Sequence, residues 1–426
     1  MVVTPMAAAA RVFGVEQFPG FRIFAGDLLT GRITTDLPVS SLTWGMRLND
    51  GGTIEVGLKP SAKELAGIDI KAATAELKQF IGVAVGDTIL EAGPAGKGSY
   101  DPKAETFKVP ASGIWSIFDK RKALNWTQIL AGTPITETSI SIVSKTLGSI
   151  AAELVRISIQ DNPDGQLPIV LPAQVAGINE RNYQGFSLSW TGEMLRNLTG
   201  VQNGPDIRFR PRYKGGDRQF VEWVMETGSA DQPLLQQSGD DLVWDTSTPR
   251  SGVTGFGADT DGSRLASRVY QPGSGTERDM KLATASSRVL LDAGYPYTEA
   301  DVGAKDVEDQ GILQANADQL LDAGSGTWEQ WSLTVRADQA PMLGSYRPGD
   351  WARINVPPWH PILDAGERRV RVMAIDGDHT LEVKLTVAPI RNAGSAYGAG
   401  QTSILDGLKR RYPATDLFPG SSVYPL

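Results

Sequence analysis

Two stretches of alternating apolar and polar residues frame this chain. From Leu42 to Leu48, Leu42, Trp44, Met46 and Leu48 alternate with Thr43, Gly45 and Arg47; beyond Asn49-Asp50-Gly51-Gly52, Ile54, Val56 and Leu58 alternate with Glu55 and Gly57. Successive strand side chains point to opposite faces, and Asn, Asp and Gly tolerate the backbone of a tight turn, so the segment predicts a β-hairpin. Towards the other end, Trp331/Leu333/Val335, Ala352/Ile354/Val356, Val370/Val372/Ala374 and Leu381/Val383/Leu385/Val387 repeat the pattern, with Arg353, Arg369, Arg371 and Glu382 among the polar partners. Four amphipathic strands so close together predict a second small barrel or meander.

Three- and four-residue spacings predict helices elsewhere. Ile70, Ala73, Leu77 and Phe80 predict one over 68–81; Val143, Leu147, Ile150 and Leu154 one over 138–157; Trp190, Met194, Leu195 and Leu198 one over 188–199. Val307, Ile312, Ala315 and Leu320 extend a helical pattern across 299–323, with Gly324 in the stop position. "DIRFRPRY" and "QFVEWVMETG" read as strands, and the glycine- and serine-rich run 226–278 as short strands joined by long loops. The predicted class is mainly β with α+β parts: two small antiparallel tube-type β-barrels flanking a central α+β domain. The predicted plan is an N-terminal arm at 1–17, a first barrel at 18–130, the central domain at 131–298, a helix plus the second barrel at 299–392, and an extended arm at 393–426.

Composition narrows the chemistry. With 41% hydrophobic residues in 426, the chain can bury sizeable cores, and its 47 glycines and 26 prolines suit a strand-rich protein with many turns. The absence of cysteine excludes disulfides and thiolate chemistry, and two histidines, His360 and His379, leave little material for a zinc site or a histidine-based triad. A net charge of −8 argues against phosphate reading, yet suits a passage through which DNA slides without sticking. No run of about 18 apolar residues or signal-peptide pattern is visible, so synthesis in a cytoplasm without a membrane span is expected.

The motif-like fragments favour ordinary structure. "GPAGKGS" at 93–99 lacks the spacing and following helix of a phosphate loop; "DNPDG" at 161–165 and "DTDGS" at 259–263 lack the twelfth-position glutamate of a calcium loop and read as turns. The row Arg208, Arg210, Arg212, Lys214 and Arg218 reads as a solvated strand face or an inter-subunit salt-bridge surface. Trp331 belongs to an apolar face. Trp328, Trp351 and Trp359 fall outside it and are candidates for a protein interface, or alternatively a glycan platform. No catalytic residue, cofactor or metal is indicated.

Three patterns carry a resemblance: the hairpin with Leu48, Asn49 and Gly52; the Ser99-Tyr100-Asp101 strand; and the turn with Trp115, Ser116, Phe118, Asp119 and Arg121. With them, most of 18–390 resembles minor tail proteins of long-tailed (siphovirus-type) actinobacteriophages, of the tail-hub or baseplate-hub class. That resemblance implies a virion structural protein of the tail tip. It implies a ring, expected to be a trimer, joining the tail tube and distal tail protein to a central spike or fibre. It further implies contact with the tape measure protein and other minor tail proteins, a role in host attachment and DNA ejection, and passage of DNA without specific binding. The alternatives are a carbohydrate-binding baseplate module and, after it, a wall-degrading enzyme.

Overall fold

The computed structural model describes residues 20–389 apart from 202–203, 216–217, 247–251, 264, 302–306 and 327. The arms expected at 1–17 and 393–426 lie outside the described residues. The described chain is mainly β, built from several largely antiparallel sheets.

The hairpin forms as its alternation predicts. Strands Ser41–Arg47 and Thr53–Leu58 pair antiparallel, with Trp44 opposite Ile54. Asn49 takes φ +60, the left-handed conformation that Asn accepts more readily than most residues. On one side the hairpin pairs with Thr106–Ser112 and then Ser99–Asp101; on the other it pairs with Gly366–Asp378, a strand more than 300 residues further along the chain. Gly366–Asp378 in turn pairs with Glu382–Pro389 and with Trp351–Val356, and the last receives Leu242–Asp245 in parallel. The two alternating stretches that frame the sequence therefore share one sheet of ten strands.

A second, four-stranded sheet runs Ile33–Asp36, Phe21–Asp27, Gln79–Val85, Thr88–Pro94. Gln79–Val85 is buried along nearly its whole length, so both faces are covered. This strand replaces the end of the helix expected over 68–81. Only Ile70–Ala73 is helical, Leu77 has φ +57, and Phe80 sits in the strand, edge-on to Phe24 with ring centroids 6.1 Å apart. Pairing with Phe21–Asp27 overrides a spacing that is also compatible with a helix.

The helix expected over 138–157 is also corrected. Ser139–Lys145 is a strand, with Ile140 and Ile142 inward and Val143 exposed, and the helix begins only at Leu147. Thr146 separates the two, its hydroxyl accepting the Ser149 N–H at 3.2 Å as an N-cap. The second expected helix occupies Thr191–Thr199. Both helices pack on Trp223, Met225 and Ile207 of the strands Ile207–Tyr213 and Val221–Thr227, in a core that also takes in Phe24, Phe80, Trp115 and Phe118.

Contacts within the chain divide it into two compact units, and strands Val253–Asp261 and Trp328–Arg336 are where the chain passes from one to the other. In the smaller unit, Arg268–Pro272 lies between Leu282–Ser286, antiparallel to it, and Glu299–Asp301, parallel to it. Helix Gln310–Gly324 covers one face of this sheet, setting Leu313 and Ala317 on Ala283 and Ala285. The helix starts later than the expected 299, because Glu299–Asp301 is spent on the sheet and the Asp309 carboxylate caps Ile312 N–H at 2.9 Å.

Candidate functional site

The tip of the hairpin is where distant segments of the larger unit are joined. Asn49 donates its backbone N–H to Ile207 O (3.1 Å), accepts Ile207 N–H on Oδ1 (2.7 Å), and donates Nδ2 to Asp206 Oδ1 (2.9 Å). Asp206 also accepts the Leu235 N–H (2.8 Å) and pairs with Arg371, whose guanidinium donates to Gly349 O (3.0 Å) and Leu235 O (2.7 Å). Arg371 is 1% exposed and Asp206 3%. Arg371 falls on the polar side of the alternation in its strand. Its burial follows from the neighbours: Val370 and Val372 are buried on the opposite face, while Trp351 covers the guanidinium from 5.4 Å. Such a pair persists because each charge is compensated and hydrogen-bonded.

The next turn residue reaches elsewhere. Asp50 accepts from Arg196 Nη2 (2.8 Å), and the same guanidinium grips Asp119 through Nη1 (2.6 Å) and Nη2 (2.9 Å) while lying 5.6 Å from the Trp115 ring. Partial burial works against the Arg196 charge, but the hydrogen bonds it donates to Asp119 and Asp50 outweigh it and hold its pKa above the ordinary value. Trp115 and Phe118 clasp Phe209, edge-on at 5.6 Å and stacked at 5.4 Å. Arg121 donates to Gly165 O (2.6 Å) and Ser158 O (3.2 Å), closing the turn after the helix Leu147–Arg156, and Ser116 donates to Gly113 O (2.9 Å).

Gly52 completes the joint. Its carbonyl accepts Gly113 N–H at 2.8 Å, and a Cβ here would overlap the Glu91 carboxyl and the Gly45 carbonyl. Glu91 is buried, and its burial pushes the pKa up to about 8 against the opposing pull of the Ala92 N–H (3.0 Å) and the Arg47 charge. Leu48 is buried beside the turn. The hairpin residues Leu48, Asn49 and Gly52 and the turn residues Trp115, Phe118, Asp119 and Arg121 thus serve one junction as structural ties. Ser99, Tyr100 and Asp101 do not join it; they are exposed on the last strand of the large sheet.

Two of the three candidate tryptophans differ sharply in exposure. Trp351 is only 7% exposed, held under Arg369 (4.6 Å) and Arg371, which corrects its expected place outside the core. Trp359 is 74% exposed beside His360, and the Trp328 side chain lies outside the described residues. The basic row is largely neutralised within the chain: Arg208 and Arg210 share Glu226 at 2.7 Å each, Arg212 pairs with Glu222 at 2.7 Å, and Arg218 pairs with Asp87. Burial alone would raise the Glu226 pKa, but Arg208 and Arg210 hold it below the ordinary carboxylate value.

One exposed apolar region stands out. The ribbon Ser139–Lys145/Asn179–Gln184 ends in turns bearing Ile135, Phe186 and Leu188, with Trp190 just beyond under Lys122 (3.2 Å). At the opposite end of the ribbon Val143, Val175 and Ile178 are exposed. Exposed apolar side chains clustered at each end of a ribbon suit contact with other proteins. No group of three metal-binding side chains occurs among the described residues, and no described helix is long and apolar enough to cross a membrane.

No family model matches the sequence, and no curated protein matches it. Solved structures do. The 43 kDa tail protein of prophage MuSo2 from Shewanella oneidensis aligns over 87% of this chain and 98% of its own, with 13% identity and a TM-score of 0.54. A tail protein from Neisseria meningitidis aligns over 87% of this chain and 97% of its own, with 11% identity and a TM-score of 0.51. The chain therefore shares its fold with phage tail proteins.

Proposed function

We propose that this chain is a structural component of a phage tail tip: a ring-forming hub or adaptor that links the tail tube and distal tail protein to a central spike or fibre. The observation that carries this reading is the shared fold, which runs through nearly the whole of a prophage tail protein rather than one module of it. In this reading the ring is a trimer, two tube-type barrels per subunit approximate sixfold symmetry, and DNA passes through an acidic lumen without specific binding. The tape measure protein and other minor tail proteins are its neighbours, and the virion is of the siphovirus type infecting actinobacteria. Its work is mechanical and non-enzymatic: the exposed ribbon supplies contact surface, and the buried ties at the hairpin keep the subunit rigid under load.

The test is the mass of the purified protein by light scattering across a concentration series, with class averages of negatively stained particles. A species of three times 45.7 kDa with a central hole is expected. A monomer at every concentration that also fails to join a ring when mixed with its tail partners overturns the reading.

A further inference from the structure

In the smaller unit one sheet face is covered by a helix, and among the described residues the other carries exposed or half-exposed side chains. On that second face, Arg268 stands opposite Ser286 on one side and Glu299 on the other, and Tyr270 stands opposite Thr284. The side chains are wired together. Tyr270 and Tyr297 both donate their hydroxyls to Glu299 Oε1, at 2.7 and 2.8 Å; Arg268 lies 5.4 Å from the Tyr270 ring. Tyr297 is 53% exposed, so this network faces solvent rather than filling a core.

We infer that this face is a binding site for a neutral saccharide, seated on the Tyr270 and Tyr297 rings and held by Arg268 and Glu299. Three features of the face select that chemistry. The apolar C–H face of a pyranose packs on aromatic rings, and two tyrosines are fixed here by their own hydroxyl bonds, so little side-chain freedom is lost on binding. Vicinal sugar hydroxyls need a donor and an acceptor side by side, which a guanidinium and a carboxylate supply. Arg268 stands with two carboxylates, Glu299 and Asp301, the latter opposite Tyr270, so an anionic polymer gains little from this face, whereas an uncharged polyol meets a donor and acceptors together. Hydrogen bonds from Tyr270 and Tyr297 keep Glu299 below the ordinary carboxylate pKa, so it is an ionised acceptor at neutral pH. The inference does not rest on ring formation; under the proposed tail-tip role the site would meet a host-surface glycan.

The experiment is saturation-transfer NMR on the full chain with maltotriose, mannotriose, galactotriose and the N-acetylglucosamine trimer. Transfer to at least one of them is expected, with a dissociation constant on the order of 1 mM. Tyr270→Ala, Tyr297→Ala and Glu299→Gln are each expected to weaken it by about 10-fold or more, with unchanged thermal unfolding. Tyr297→Phe keeps the ring, removes only the hydroxyl, and is expected to give an intermediate loss. No transfer to any of the four, or transfer that the variants leave intact, overturns the inference. So does a concentration-dependent mass that the same variants abolish, which would make the face a contact between copies. Failure of the hub reading registers separately, in mass and ring formation of the unmodified protein.

Discussion

Glu91 offers the sharpest test of the junction. In the native chain its carboxyl stays protonated up to about pH 8, because burial against Gly52 disfavours the charge; in an unfolded chain it ionises near 4.5. Below about pH 4.5 both states hold the proton and folding is insensitive to pH. Between 4.5 and 8 the unfolded state releases its proton first, so stability falls as pH rises; above about 8 both states are ionised and the loss stops growing. At about 1.4 kcal/mol per pH unit, the loss is about 3 kcal/mol at neutral pH and about 5 at its limit. Glu91→Gln removes the titration while its amide oxygen can still accept the Ala92 N–H. Urea unfolding followed by tryptophan fluorescence, at about pH 4, 6 and 8, should show the variant's advantage near zero at the first and largest at the last. An advantage that does not change with pH, or a variant that loses ground as pH rises, refutes the account of Glu91 as a buried neutral acid.

The other predictions concern the ties themselves. Arg371→Met leaves Asp206 buried without its cation and should cost about 3–5 kcal/mol in chemical unfolding; pairing it with Asp206→Asn should recover part of that loss, since the two changes share one interaction. Asn49→Gly keeps the left-handed turn but removes the bonds to Asp206 and Ile207, so a loss of about 1–3 kcal/mol is expected, together with faster hydrogen exchange at Ile207. Asn49→Ala should cost about 1 kcal/mol more, from its unfavourable φ. Trp359→Ser touches no core and should leave unfolding within about 0.5 kcal/mol of the parent.

What could be read from the sequence was whatever local chemistry decides. The hairpin was legible because period-two alternation and an Asn-Asp-Gly-Gly turn agree, and the helix Thr191–Thr199 because its spacing meets no competing strand partner. The expected helix over 68–81 failed because Gln79–Val85 is covered on both faces, which erases the alternation that marks a strand. Ser139–Lys145 was missed for another reason: its short Ser-Ile-Ser-Ile alternation runs straight into a true helical spacing, and only the cap at Thr146 marks the border. The junction was half legible. Asn49, Gly52, Trp115 and Asp119 stood out as a pattern, whereas Asp206 and Arg371, 165 residues apart, gave no local sign of pairing. An arginine between two valines of an alternating strand reads as a solvent-facing residue, and only the second covering layer, led by Trp351, makes it a buried one.

The three turn residues differ in what they secure, and that difference explains why such a short segment carries so many constraints. Asn49 fixes the start of the strand Ile207–Tyr213, Asp50 reaches the helix Thr191–Thr199 through Arg196, and Gly52 admits the Glu91 carboxyl of another sheet. Meanwhile the hairpin's own first strand pairs with Gly366–Asp378, which brings Arg371 to Asp206 and closes the circuit. Apolar packing alone resists separation of these elements but is tolerant of sliding, because it is non-directional. Hydrogen bonds and ion pairs with fixed geometry resist sliding as well, at the cost of desolvating their charges. A chain held this way keeps a sheet built from its two distant ends in register. A subunit that transmits force through a ring, as proposed above, needs that property.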